Sequence, residues 1–196
     1  MLPPVGGNPA QKAVMASGDS LIMSDDSTRL ETALRRRLAA DSLWDFALAL
    51  YARPGVEAAC LTLQDDAGVD VCELLWHCWL HHHGLVLCAE PAGLAAIRQW
   101  QGEVTSVMRA LRRQLKVQAA KNPGVAKVRR QLQRTELAAE RETLARLQAL
   151  AESGDGIVRD SSSRSKLAFS LASRWQLQKK AQLLALQTIE CQLDPP

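Results

Sequence analysis

The spacing of apolar residues constrains this chain more than any other feature of its sequence. Apolar residues recur every three or four positions, as in a helix with one buried face, and no segment shows the two-residue alternation of a half-buried strand. Ala, Leu, Gln, Arg and Glu dominate, and these residues lose little side-chain freedom in a helix. We therefore predict an all-α fold: a compact helical bundle of five or six helices, with a C-terminal helical extension and no strand.

Interruptions of this pattern divide the chain into four predicted parts. Residues 1–26, with their Pro, Gly, Ser and Asp, indicate a disordered leader, and the helical domain follows over 27–152. Residues 153–165 are rich in Ser, Gly and Asp, which favours a flexible linker. We expect one last helix over 166–193.

The segment between Asp70 and Gly84 has clear helix boundaries. Asp70 followed three positions later by Glu73 is typical of a capped N-terminus, and Gly84 permits the positive φ that ends a helix. Because the residues between these boundaries are apolar nearly all round, we predict that this helix is the central and most buried one. Helical spacing also predicts that Trp44 and Trp79 lie in the core.

A second long helix is predicted to begin at Pro91 and to end at Asn122-Pro123-Gly124. Four of its basic side chains share one face, since they are spaced at i, i+3, i+4 and i+7. We expect the opposing apolar stripe to be buried and this basic face to be exposed. The basic residues are Arg109, Arg112, Arg113 and Lys116, and the stripe contains Ile97, Trp100, Val104, Val107, Met108, Leu111 and Leu115.

Charge is unevenly distributed along the chain. Residues 1–91 contain 6 Lys/Arg against 12 Asp/Glu, whereas residues 92–196 contain 18 against 9. Such asymmetry is typical of a basic region that binds an anionic partner, acidic protein or nucleic acid. The basic face has no neighbouring aromatic residue on which a single-stranded base would stack. The alternative interpretation is that the two halves face each other or water.

Cysteine usage and motifs bear on the compartment and on catalysis. The five cysteines include no C-x-x-C pair, which favours reduced thiols in a cytoplasmic protein. Cys60 occupies an apolar-stripe position, where burial would raise the thiol pKa rather than activate the group. No Gly-rich phosphate loop and no G-x-S-x-G elbow is present, and no apolar run reaches the ~18 residues of a membrane span. The sequence therefore contains no positive catalytic signal.

Residues Leu43 to Trp79 contain a recognisable block, LWDFALALYARPGVEAACLTLQDDAGVDVCELLWHCW. Its LW-x-F-x-L-x-x-Y, PGV and A-C-L-x-L-Q-D elements resemble the TIGR02444 or DUF2390 family of short uncharacterised proteobacterial proteins. The later WQGEVTSVMRALRRQLK and TELAAERETL also resemble that family, so the resemblance extends over about 30–152. It departs at Cys72 and Glu73, where the family tends to carry Asn and an apolar residue. The resemblance implies an all-helical fold but no activity.

Within the same block, three polar residues are candidates for a contact surface. Cap and turn roles already account for the acidic residues of this segment, because their side chains hydrogen-bond the local backbone. We therefore predict that they contribute a polar surface rather than a cation site. These residues are Gln64, Asp65 and Asp70.

A metal site is the alternative hypothesis. Glu73, His77 and His81 are spaced at i, i+4 and i+8, and two imidazoles with a carboxylate on one helical face suit Zn²⁺ or Fe²⁺. The segment is not H-E-x-x-H, and consecutive histidines are also favoured at a helix C-terminus by the helix dipole. The alternative function is therefore a helical enzyme or metal-dependent protein whose site is centred on these three residues together with Asp65 and Asp70.

The balance of these observations favours binding over catalysis. We expect a non-enzymatic interaction or regulatory protein of the cytoplasm that requires no cofactor. Its basic helical face would bind an acidic protein or, without sequence specificity, nucleic acid.

Overall fold

The computed structural model describes residues 32–160 and 167–193. The chain divides into two units, Met1–Leu34 and Arg35–Pro196, and every described helix and strand after residue 40 belongs to the second. The predicted leader lies outside the described residues. No single described helix is long and apolar enough to cross a membrane, although the pair Leu43–Tyr51 and Val56–Ala67, bent by 100°, meets those criteria jointly.

The described residues are predominantly helical, which confirms the predicted all-α class, and they include one small sheet. The helices are α1 (32–40), α2 (Leu43–Tyr51), α3 (Val56–Ala67), α4 (Val71–His82), α5 (Leu94–Trp100), α6 (Ser106–Gln114), α7 (Lys116–Ala119), α8 (Pro123–Ser153), α9 (Leu167–Arg174) and α10 (Lys180–Cys191). A π-helical turn occupies Gln101–Thr105, and the strands are β1 (Leu85–Leu87) and β2 (Ile157–Arg159).

Side-chain caps begin three of the helices, and the cap at Asp70 lies where the sequence predicts it. The Asp45 amide donates to Ser42 Oγ at 3.2 Å at the start of α2, and the Glu73 amide donates to Asp70 Oδ1 at 2.9 Å at the start of α4. Asn122 caps α8 through its side-chain oxygen, with Pro123 at the first helical position. These caps satisfy amide groups that the helices themselves leave without partners.

Helix α4 is the centre of the bundle, as predicted. Every residue from Cys72 to Leu80 is buried, and α2, α3, α8 and β1 all pack against this helix. Trp79 is 0% exposed, which confirms its predicted place in the core. The same prediction for Trp44 is wrong, because that side chain is only half-buried and its indole is covered by the guanidinium of Arg141, 5.2 Å from the ring centroid.

The C-terminal part forms two helices where we predict one. α10 packs against α3 and α9 packs against α10. The break follows a Schellman motif, in which Gln176 has φ of 52° and the Leu177 amide donates to the Ala172 carbonyl at 2.9 Å. The pattern gives no sign of this break because the left-handed position holds Gln instead of the usual Gly or Asn.

The predicted absence of strands is also wrong. β1 and β2 pair antiparallel, with Val86 opposite Val158, so part of the predicted linker is a strand. Beside the pair, Gly156 has φ of 66°, and a Cβ there would lie 2.6 Å from the carbonyl oxygen of Ala89. The strands have three residues each and are about 70 positions apart, which is too short and too distant for a periodicity signal.

A π-helical turn changes the orientation of α6. This turn closes i→i+5 hydrogen bonds and so contains one residue more than an α-helical turn. Every later side chain is therefore rotated by about 100° around the helix axis, relative to its position in an uninterrupted α-helix. The buried positions on this side are accordingly Thr105, the last residue of the turn, and then, in part, Arg109 and Arg112. Val107 and Leu111 of the predicted buried stripe are instead 49% and 44% exposed, so the prediction is wrong for these two residues, whereas Ile97 of the same stripe is buried.

Candidate functional site

Two members of the predicted basic face point inward and bind glutamates of α8. Arg109 donates from Nε to Glu136 Oε1 at 3.0 Å and from Nη2 to Glu140 Oε1 at 2.7 Å. Arg112 donates from Nη2 to Glu136 Oε1 at 3.2 Å and from Nε to Glu136 Oε2. The Arg109 and Arg112 side chains are only 19% and 23% exposed, and that of Glu136 is 7% exposed. These four residues, the Arg–Glu network, join α6 to α8.

The two glutamates of the Arg–Glu network differ in their electrostatics. Burial of Glu136 opposes ionisation, but the hydrogen bonds and charges of Arg112 and Arg109 outweigh it and lower its pKa. For Glu140 the balance is reversed, because burial raises its pKa by more than the single bond from Arg109 lowers it. Within the described residues, Glu140 accepts a side-chain bond through Oε1 alone, whereas both carboxylate oxygens of Glu136 accept bonds from arginines.

The other two members of the predicted face lie at the surface. Arg113 Nη2 is 2.9 Å from Asp65 Oδ1, with both side chains about half exposed, so the pair contributes little stability. Lys116 is exposed and has no ion pair with any described residue. The predicted basic face thus separates into two pairs: Arg109 and Arg112 face α8, whereas Arg113 and Lys116 face solvent. The rotation of α6 about its own axis determines which residues belong to each pair.

The segment 106–135 contains nine Lys or Arg and no Asp or Glu. It comprises α6, α7 and the first part of α8, and both shorter helices pack against α8. We call this segment the basic hairpin. Five of its cations are exposed and make no ion pair within the described part of the chain: Lys116, Lys121, Lys127, Arg130 and Arg134.

Aliphatic side chains accompany these cations on the basic hairpin. Val107 and Leu111 of α6 are 49% and 44% exposed, Val117 of α7 is 72% exposed, and Val128 of α8 is 53% exposed. Four exposed aliphatic residues within one hairpin exceed the scattering of single apolar residues that a protein surface normally carries. The basic hairpin therefore presents charge and apolar area together.

The proposed metal ligands have other partners. Glu73 accepts from Arg98 Nη2 at 2.7 Å and from Arg98 Nε at 3.0 Å, which occupies both of its oxygens. His77 Nε2 lies 3.9 Å from Glu73 Oε1, and burial with the nearby cations Arg174 and Arg98 lowers the His77 pKa to about 3. His81 lines a small cavity with His77. Within the described residues, no three His, Cys, Asp or Glu side chains are grouped to hold a metal ion.

We expect untagged protein, purified without chelator, to contain less than about 0.1 equivalent of Zn or Fe by elemental analysis, because Arg98 already neutralises Glu73, the carboxylate that lies on the same helix as His77 and His81. Addition of Zn²⁺ should leave the melting temperature unchanged. Stoichiometric metal in wild type that disappears in the His77→Ala/His81→Ala variant would contradict this expectation.

The residues of the predicted polar surface serve three separate roles. Gln64 lines a large cavity, Asp65 pairs with Arg113, and Asp70 caps α4 while accepting from Gln101 Nε2 at 3.2 Å. Burial raises the pKa of Asp70 despite its bond from the Glu73 amide. Sequence reasoning did not identify Glu136 and Glu140, although their i, i+4 spacing opposite Arg109 and Arg112 was a usable signal.

Comparison with known proteins adds one finding. A family model described as a protein of unknown function (DUF2390) matches residues 42–147. This span includes the Arg–Glu network and the whole basic hairpin, and it ends before β2, α9 and α10. Neither the curated proteins nor the solved structures include a match to the chain.

Proposed function

The chain belongs to the DUF2390 family, and we propose that it acts as a non-enzymatic interaction protein that binds an acidic protein partner through its basic hairpin. The observation that carries the proposal is the absence of any acidic residue from 106–135, combined with five exposed cations that no described carboxylate neutralises. The binding face differs from the one that the sequence predicts, because Arg109 and Arg112 are engaged by Glu136 and Glu140.

The mixed composition of the basic hairpin favours a protein over nucleic acid. A phosphate backbone is recognised by cations and hydrogen-bond donors, and exposed valines and leucines add nothing to that contact. Residues 106–135 also contain no Phe, Tyr or Trp for stacking on bases. An acidic amphipathic helix fits both the exposed cations and the exposed aliphatic residues of the basic hairpin. Its carboxylates would pair with the lysines, and its apolar face would cover Val107, Leu111 and Val117.

We further propose that the protein works in a reducing compartment such as the cytoplasm. All five cysteines are free thiols. Burial raises the pKa of Cys60 to about 12, which makes this thiol unreactive at neutral pH.

The proposal predicts binding to a designed probe. A fluorescent helical peptide with Glu along one face and Leu along the other should bind the full chain in an anisotropy titration, and affinity should fall steeply with salt because exposed charges are screened. Lys121→Glu/Lys127→Glu should weaken binding at least tenfold. Val117→Ser should also weaken it while leaving the melting temperature unchanged, since that side chain is 72% exposed.

The matched control is Arg159→Glu/Lys180→Glu, which changes net charge equally on exposed residues outside the basic hairpin. It should bind the peptide like wild type. Equal losses in both charge-reversal variants would show that only net charge matters and would contradict a defined surface. Tight binding of duplex DNA or RNA that Val117→Ser does not weaken, together with no binding of the peptide, would identify nucleic acid as the partner and overturn the protein assignment.

A further inference from the structure

A cavity of about 440 Å³ lies between α2, α3, α4, α6 and α8. Its volume is in the range of small-molecule sites, whereas two other cavities in the described residues hold only about 30 Å³ each, roughly the space of a water. All the residues that line the large cavity fall between positions 44 and 144, inside the span that matches the family. None of the residues that line the cavity belongs to α9 or α10.

The cavity wall carries an excess of negative charge. Its charged groups are three carboxylates (Glu57, Glu136 and Glu140) and two guanidinium groups (Arg109 and Arg112), which leaves a formal charge of −1. The arginines are directed at Glu136 and Glu140, so an anionic ligand would have to displace a glutamate that already holds them. A cation, in contrast, meets carboxylate oxygens that lack a second partner.

Glu140 and Glu57 are the carboxylates with spare acceptor capacity. Glu140 accepts one bond from Arg109, through Oε1, and Glu57 is exposed with no ion pair to any described residue. Burial raises the pKa of Tyr51 to about 12, and the nearby Cys60, Glu57 and Glu140 add to the effect. The Tyr51 phenol is therefore neutral at physiological pH and lies close enough to both carboxylates to feel their charge. A phenol and two carboxylates are acceptors suited to an ammonium group.

The remaining wall is aliphatic. Leu75 and Leu144 are buried behind the cavity, at 5% and 4% exposed. Leu48, Leu61 and Leu137 also line it and are 49%, 42% and 51% exposed. A hydrocarbon or aromatic group placed here would cover these three side chains and remove apolar surface from water.

We propose that this cavity is a binding site for a small organic cation, a protonated amine carried on an apolar body. The ammonium lies against Glu140 and Glu57, and the apolar body contacts Leu48, Leu61 and Leu137. This site goes beyond the proposed function, because it is concave, acidic and apolar, whereas the partner surface of the basic hairpin is exposed and basic.

The test uses two probes of equal length and opposite charge, hexylamine and hexanoate, titrated into the full chain in phosphate buffer. Isothermal calorimetry should show saturable binding of hexylamine, with hexanoate at least tenfold weaker. Glu140→Gln should weaken hexylamine at least tenfold because it removes the negative charge with little change of shape. The control is Glu142→Gln, which changes a glutamate of the same helix that does not line the cavity. This variant should bind hexylamine like wild type.

A second variant keeps the test decisive if Glu140→Gln is unstable. Leu137→Lys introduces a cation at a side chain that is already 51% exposed, so it should fold normally and still lose hexylamine affinity at least tenfold. No saturable binding of either probe, hexanoate binding as tightly as hexylamine, or unchanged hexylamine affinity in folded Leu137→Lys would each overturn the proposal. Loss of the acidic-peptide interaction alone would leave it standing.

Discussion

Trp79→Ala should lower the free energy of unfolding by about 3–5 kcal/mol, the range for removing a large aromatic side chain from a packed core. Trp79 is 0% exposed on α4, the helix that α2, α3, α8 and β1 surround. Since a domain of this kind is stable by only about 5–15 kcal/mol, the loss amounts to a large part of the total. Urea denaturation followed by far-UV circular dichroism measures it directly.

Two companion variants separate packing from other effects. Trp79→Phe deletes the indole N–H, which is buried without a hydrogen-bond partner among the described residues, and keeps an aromatic ring in the core, so it should cost far less than the Ala change. Trp44→Ala should cost only about 1 kcal/mol, because Trp44 is half-buried and its contact with Arg141 is a partly exposed cation–π pair. Equal losses for Trp44→Ala and Trp79→Ala would contradict the burial described above.

Glu136→Gln should lower the free energy of unfolding by about 3 kcal/mol. The variant leaves Arg109 and Arg112 facing a neutral amide in a partly buried position, and breaking a buried ion pair costs roughly 3–5 kcal/mol. The lower end applies because the two arginines are 19% and 23% exposed, which allows water to reach them. The matched control is Glu142→Gln, whose pairing with Arg146 at 2.8 Å is exposed and should contribute only a few tenths of a kcal/mol.

The pH dependence of stability provides an independent check on Glu136. Its pKa in the folded protein lies below the value in the unfolded chain, so its contribution is complete above the unfolded pKa of about 4.3 and is lost as pH falls through the folded value. Glu140 acts in the opposite direction because burial raises its pKa. The difference between wild type and Glu136→Gln isolates the first effect, and it should shrink between about pH 5 and pH 3. A difference that is constant over this interval would contradict the ion-pair explanation.

Local sequence patterns determined much of the helical framework. Ser42, Asp70 and Asn122 each place a side-chain acceptor before an apolar-periodic segment, and each caps the helix that follows. Apolar residues all round the segment after Asp70 were sufficient to identify α4 as the buried helix. These features were predictable because they depend on residues within one or two turns of each other.

The candidate sites were less predictable, because they depend on the phase of one helix and on contacts between distant segments. The sequence correctly identified the basic character of residues 106–135, but not which of its cations are free. Arg109 and Arg112 satisfy the helical spacing of an exposed face, and yet they bind Glu136 and Glu140 across 24 to 31 positions of the chain. The cavity was invisible in the sequence because five separate helices contribute to its wall.

By itself, the sequence determined where α4 starts, that this helix is the most buried one, and that one segment carries only positive charge. Only the tertiary structure decided which way α6 faces, where the last helix divides and where two short strands pair. The left-handed Gln176 does not use the Gly or Asn that usually ends a helix, and the single Gly102 within the π turn at Gln101–Thr105 does not distinguish that turn from a regular helix, which tolerates one Gly. A single extra residue in one turn rotates α6 by about 100°, which places Val107 and Leu111 in solvent and Arg109 beside the carboxylates of α8.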